Sequence, residues 1–179
     1  WPACCRALRA FCRRLRSRER QASLASSTCW SAVPRGGGAA LPWVDLAAFA
    51  VRVLALAAED RKAAAHLPGP VFFDRGLIDA AVALEHATGH PARQTLADHG
   101  RYHPQLFLTP PWPEIYVHDP ERRHGLEEAI AEYDRLLAAS IDLGYEAVIL
   151  PKTGIAARAD FVLDCLLRHA PRSKRISTP

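Results

Sequence analysis

Methionine is missing altogether from the 179 residues, and lysine nearly so, with three against twenty arginines. Lysine first appears at Lys62, which excludes any phosphate-gripping loop that needs a lysine before that point. No apolar run approaches the roughly 20 residues needed to cross a bilayer. The arginine-studded first residues have no apolar h-region, so no secretory leader is expected and the expected location is the cytoplasm. There is no G-x-S-x-G, no C-x-x-C and no convincing Ser/His/Asp arrangement. His86/His90 and His99/His103 have the i, i+4 spacing of helical metal ligands. Gly89 and Pro91 interrupt the first pair, and Gly100 and Pro104 crowd the second, so no metal site is expected there.

Cysteine is sparse and unevenly placed: Cys4, Cys5, Cys12 and Cys29 precede residue 30, and only Cys165 follows. Their spacing matches no zinc pattern, and no histidine lies in the first 60 residues. Nothing else in the chain looks secreted, so reduced thiols are expected. Charge divides at the same place. Residues 1–40 hold eight arginines against the single acid Glu19, a net of +7, and residues 41–179 carry a net of −3. The overall charge of +4 therefore describes one end of the chain and implies nothing about the rest.

What remains is ample for one domain with a core of its own. From Leu41 onward the apolar positions are periodic. Leu46, Phe49, Ala50, Val53, Leu54 and Ala57 recur at helical spacing, Glu59 to Lys62 continue a solvated end, and the run 67–70 (LPGP) stops the helix. The run 71–73 (VFF) reads as a short buried strand, and helices are expected over 77–87 and, more weakly, 92–100. A second strand falls at 105–108 (QLFL), closed by the proline-rich 109–113 (TPPWP). Asp119 and Pro120 cap a long helix reaching Leu143, with Leu126, Ile130, Tyr133, Leu137 and Ile141 on its apolar face. Gly144 stops it, a third strand follows at 147–150, and a last helix at 155–169. Short apolar strands separated by helices indicate an α/β fold with a parallel sheet covered on both faces. Ligands of such sheets sit beyond the carboxyl ends of the strands.

Those ends carry the candidate residues. Asp74 and Arg75 follow the first strand: a carboxylate suited to a metal-bound water or a proton, and a guanidinium suited to phosphate. Equally, Asp74 would cap the next helix with Arg75 paired to Asp79. Arg122 and Arg123, at a helix entrance, suit a polyphosphate, or form ordinary surface pairs with Asp119, Glu121 and Glu127. Trp112, Glu114 and Tyr116 would floor a pocket for a flat group or form a proline-stiffened cover. Lys152, after the third strand, would touch a nucleotide or stand in solvent.

Taken in order, the segments 36–50 (GGGAALPWVDLAAFA), 69–80 (GPVFFDRGLIDA), 101–123 (RYHPQLFLTPPWPEIYVHDPERR), 127–137 (EEAIAEYDRLL) and 143–152 (LGYEAVILPK) resemble the NadR-like, P-loop kinase-related group of bacterial AAA-type ATPases. The resemblance covers about 36–165. It implies a three-layer α/β/α P-loop NTPase with a five-stranded parallel sheet, using ATP and Mg2+. Asp74 would serve magnesium or act as base, and Arg75 would serve a phosphate. Arg122 and Arg123 would form an arginine lid, Lys152 would lie near the adenine, and Trp112, Glu114 and Tyr116 would meet the second substrate. The implied partners are a nucleotide and a small-molecule phosphate acceptor, with neither membrane nor nucleic acid. The family's G-x-x-x-x-G-K-[ST] loop has no counterpart in residues 1–40, where the only glycine run, 36–38, is followed by no lysine.

We therefore divide the chain into an atypical basic segment (1–35), a P-loop NTPase-like domain (36–170) and a frayed tail (171–179). The first segment reads as out-of-frame or truncated-gene sequence in preference to a native basic extension. The expected function is ATP hydrolysis or phosphoryl transfer, impaired here by the missing loop. Two other classes stay open: a non-catalytic nucleotide-sensing or partner-binding module, and a basic-tailed nucleic-acid binder. Translation of the upstream DNA in all three frames is expected to reveal a G-x-x-x-x-G-K-[ST] motif, and its absence from every frame would refute the frame-error reading.

Overall fold

The computed structural model describes residues 41–116 and 125–169, together with the backbone of strand 23–25. In chain order the elements are β1 (Ser23–Ala25), α1 (Leu46–Ala64), β2 (Val71–Phe73), α2 (Leu77–Thr88) and α3 (Ala92–Thr95), then β3 (Gln105–Leu108), α4 (Leu126–Asp142), β4 (Glu146–Ile149) and α5 (Ile155–His169). A 3-10 turn, Pro113–Ile115, sits between β3 and α4.

Local signals account for most boundaries. Asp45 caps α1 by accepting from the Ala48 amide at 2.9 Å, and Arg61 and Lys62 occupy its last turn, where cations suit the helix dipole. Gly89, at φ 76°, ends α2 in the left-handed conformation that glycine adopts without steric cost. Gly144, at φ 75°, does the same beyond α4.

The strands pair in parallel but in two separate ladders: β1 with β2, with Ser23 opposite Val71, and β3 with β4, with Gln105 opposite Glu146. Among the described residues no ladder joins β2 to β3. This differs from the single sheet expected. It also leaves β2 half-buried along its whole length rather than buried, because a strand without a neighbour on one side keeps part of its surface open. Side chains nevertheless meet β2 from two directions. Phe72 packs against Ala159 and Leu163 of α5, and Phe73 meets the Tyr102 ring edge-on at 5.4 Å.

The core is built chiefly by helices. Phe49, Val53 and Ala57 of α1 interlock with Leu77 and Ala80 of α2. The next face of α2, Ile78, Ala81 and Val82, packs on Ala92 and Leu143, with Leu106, Leu136 and Ala139 against it. Alanines at the contact positions let α1 and α2 approach closely.

Four further expectations need correction. The helix expected over 92–100 is a single turn, Ala92–Thr95, because Gly100 and Pro104 leave too little chain to extend it. The helix expected from Asp119 begins at Leu126, with Gly125 at its cap and Glu128 accepting from the Gly125 amide at 3.0 Å; Asp119 and Pro120 lie outside the described residues. The expected apolar stripe of α4 does not face the core throughout, since Ile141 is 60% exposed. Leu136, Ala139 and Ser140 turn inward instead, because small residues fit the close α2 contact that isoleucines would not. Finally, β1 falls inside the segment set apart as atypical and basic, being too short for a periodic signal.

Leu77 is 1% exposed at the meeting of α1 and α2. Replacing it with alanine is expected to cost about 2–5 kcal/mol in urea-denaturation stability, whereas Ile141→Ala should cost less than about 0.5 kcal/mol.

Candidate functional site

The turn after β2 concentrates charge where the chain is least relaxed. Arg75 has φ 61°, left-handed backbone that costs a side chain bearing a Cβ about 1 kcal/mol. Its guanidinium reaches across to α4, where Arg75 Nη1 donates to Glu132 Oε1 at 3.0 Å. Asp79 and the half-buried Asp74 add their attraction, so three carboxylates act on one cation. Burial works to lower the Arg75 pKa, but Glu132, then Asp79 and Asp74, outweigh it and hold the guanidinium charged. Burial raises the Asp79 pKa, and the attraction of Arg75 offsets only part of that rise.

Asp79 has a second task. Its Oδ2 accepts from the Gly76 amide at 3.0 Å, closing the first turn of α2. The cap is therefore Gly76, not Asp74, and the principal partner of Arg75 is Glu132 rather than Asp79. Gly76 itself is extended at φ 174°, so its backbone does not demand glycine. Space does: a Cβ there would lie 2.7 Å from the Tyr102 hydroxyl. That hydroxyl accepts from the Leu77 amide at 3.3 Å.

Tyr102 anchors a second cationic group on its other side. The Arg61 guanidinium lies 4.6 Å from the Tyr102 ring centre, within cation–π range, and donates through Nη2 to the Arg101 carbonyl. Arg61 is thus packed, not part of a solvated helix end as its charged neighbours suggested. Arg101 in turn donates to the carbonyls of Leu143 at 2.9 Å and Gly144 at 3.0 Å and lies 4.3 Å above the Tyr145 ring.

The other sequence candidates are scattered. Trp112 is half-buried, with the Arg158 guanidinium 6.0 Å from its ring centre. Glu114, in the 3-10 turn, and Lys152, after β4, are exposed; neither bonds to the Asp74–Arg75 turn. Tyr116 is half-buried, and Arg122 and Arg123 lie outside the described residues. Among the described residues no three histidines, cysteines or carboxylates come together as metal ligands. Glu132, Tyr102 and Arg101 escaped the sequence reading. Glu132 carried one usable signal, standing one helical turn after the capping Glu128.

A family model described as an AAA domain matches residues 25–158. The chain belongs to the AAA domain family of P-loop NTPase-like proteins. Neither a curated protein nor a solved structure matches it. Membership agrees with parallel strands alternating with helices, and it makes a nucleotide-binding, P-loop NTPase-like function the family-level assignment. The match begins within β1, ahead of the residue 36 at which the sequence resemblance began. No helix among the described residues is long and apolar enough to cross a membrane.

Because the Asp79 pKa is raised in the folded state, its protonated form stabilises the fold. That contribution is fully present below the unfolded value of 3.8 and is lost as pH rises through the folded value. Asparagine keeps an acceptor for the Gly76 amide but cannot ionise. The stability of Asp79→Asn relative to the parent should therefore increase from pH 3.5 toward about pH 7, measured by urea denaturation. A difference that is flat, or falls with pH, would contradict the assignment.

Proposed function

We propose that the protein derives from NadR-like ATPases or small-molecule kinases that hydrolyse ATP or transfer its terminal phosphoryl group, and that this chain binds nucleotide poorly. The observation carrying the reading is the Asp74–Arg75 turn: a carboxylate and a left-handed arginine at the carboxyl end of a parallel strand in an AAA-family chain. In that reading Asp74 serves the metal or acts as base. Arg75, with Arg122 and Arg123, meets phosphate charge. Trp112, Glu114 and Tyr116 face the acceptor, and Lys152 lies near the base.

The described residues do not by themselves fit magnesium–ATP. Arg75 is engaged by Glu132, and Asp79 and Asp74 also act on that one cation. A polyanion entering this turn would face net negative charge. The sequence also supplies no lysine before Lys62 to offset it. We derive no catalytic step through the nucleotide on these residues.

Equilibrium titration of the chain with a fluorescent ATP analogue and magnesium should give no saturation in the low micromolar range. Glu132→Gln removes the negative charge that acts most strongly on Arg75 and should strengthen whatever residual binding exists by about three- to tenfold. Low-micromolar binding by the unaltered chain would refute the impairment.

A further inference from the structure

Beside Tyr102 lies an open cleft of about 250 Å³, whose lining includes Arg93, His99, Arg101, Tyr102, Tyr145 and Leu77. No carboxylate lines it. Arg93 donates to the Asp142 carbonyl, and Arg101 donates to those of Leu143 and Gly144. Together they close the carboxyl end of α4.

That capping does not exhaust their charge. A helix carboxyl end carries only about half a negative charge, and two full cations stand against it. Among the described residues neither arginine meets a carboxylate. Asp98 and Asp142 are exposed, and Glu85, beside Arg93, accepts from the Ala92 amide at 3.2 Å; none of the three lines the cleft. Both arginines are exposed, and among the described residues their bonds go to the carbonyls of Asp142, Leu143 and Gly144, so further N–H groups face solvent at the cleft. Arg61 adds a third cation behind the Tyr102 ring, its Nη1 buried and without a partner among the described residues. A corner holding this much unpaired positive charge is suited to an anion.

We propose that this cleft binds a small oxyanion, a phosphate or carboxylate group, held by Arg93 and Arg101 against a wall formed by Tyr102 and Tyr145. Its volume falls below the roughly 300 Å³ at which drug-sized ligand sites begin, so the ligand is a free oxyanion or one bearing a small organic group, not a nucleotide. The arginines keep their carbonyl bonds and offer their remaining N–H groups. Binding here needs neither nucleotide nor the charged turn at Asp74 and Arg75.

The test is calorimetric titration of the full chain with inorganic phosphate and, separately, with acetate, at constant ionic strength and without nucleotide or magnesium. Saturable binding of at least one anion is expected, and whichever binds more tightly identifies the group. Arg93→Gln should weaken it about tenfold. Arg101→Lys, which keeps the charge but loses the fork, should weaken it as well, with an unchanged far-UV circular dichroism spectrum. Arg52→Gln, at an exposed arginine of α1 outside the cleft, should leave it within about twofold of the parent. The proposal is overturned if neither anion saturates by about 10 mM, where affinity is too weak to be specific. It is equally overturned if Arg93→Gln and Arg101→Lys leave binding unchanged, or if Arg52→Gln weakens it as much as they do.

Discussion

One aromatic side chain holds the described parts of this molecule in register. Tyr102 meets Phe73 of β2 through its ring edge, carries Arg61 of α1 on its face and takes the first amide of α2 on its hydroxyl. Its own amide donates to the Tyr145 hydroxyl at 3.3 Å, next to β4. Each contact is modest, worth on the order of 1 kcal/mol. They converge on a residue that belongs to no helix or strand. The charged turn at Asp74 and Arg75 keeps its shape because Gly76 admits the Tyr102 hydroxyl, and the arginine-lined cleft exists because the same ring forms its wall.

Charge is distributed on the two sides of that ring in opposite ways. At the turn, three carboxylates surround one guanidinium. At the cleft, two guanidiniums donate to backbone carbonyls, and one of them also lies over the Tyr145 ring. The fold thus separates an acidic corner from a basic one across a single tyrosine. The first side carries the carboxylates of Asp74, Asp79 and Glu132, whereas no carboxylate lines the second.

Much of the architecture was legible in the sequence. The helix beginning at Leu46, the strands at 71–73 and 105–108, and the final helix at 155–169 followed from periodicity and from glycine and proline punctuation. The inward face of α4 did not, because Ala139 and Ser140 carry weak hydropathy and their burial depends on how closely α2 approaches. Nor did the pairing of Arg75 with Glu132, separated by 57 positions, since side-chain contacts between distant segments leave no local pattern. Arg61 was misread for a related reason. Charged neighbours at the end of a helix imply solvent, and only the tertiary position of Tyr102 turns that arginine inward.

The two ladders carry a consequence for how their alignment is set. Within a ladder, backbone hydrogen bonds fix which residue stands opposite which, and a slip of one position breaks all of them. Between β2 and β3 no such bonds operate among the described residues. The offset of one pair against the other is therefore keyed by shape, through a hydroxyl seated where a Cβ would stand 2.7 Å away. A missing side chain at Gly76 acts here as the alignment mark between two sheets that, among the described residues, share no ladder.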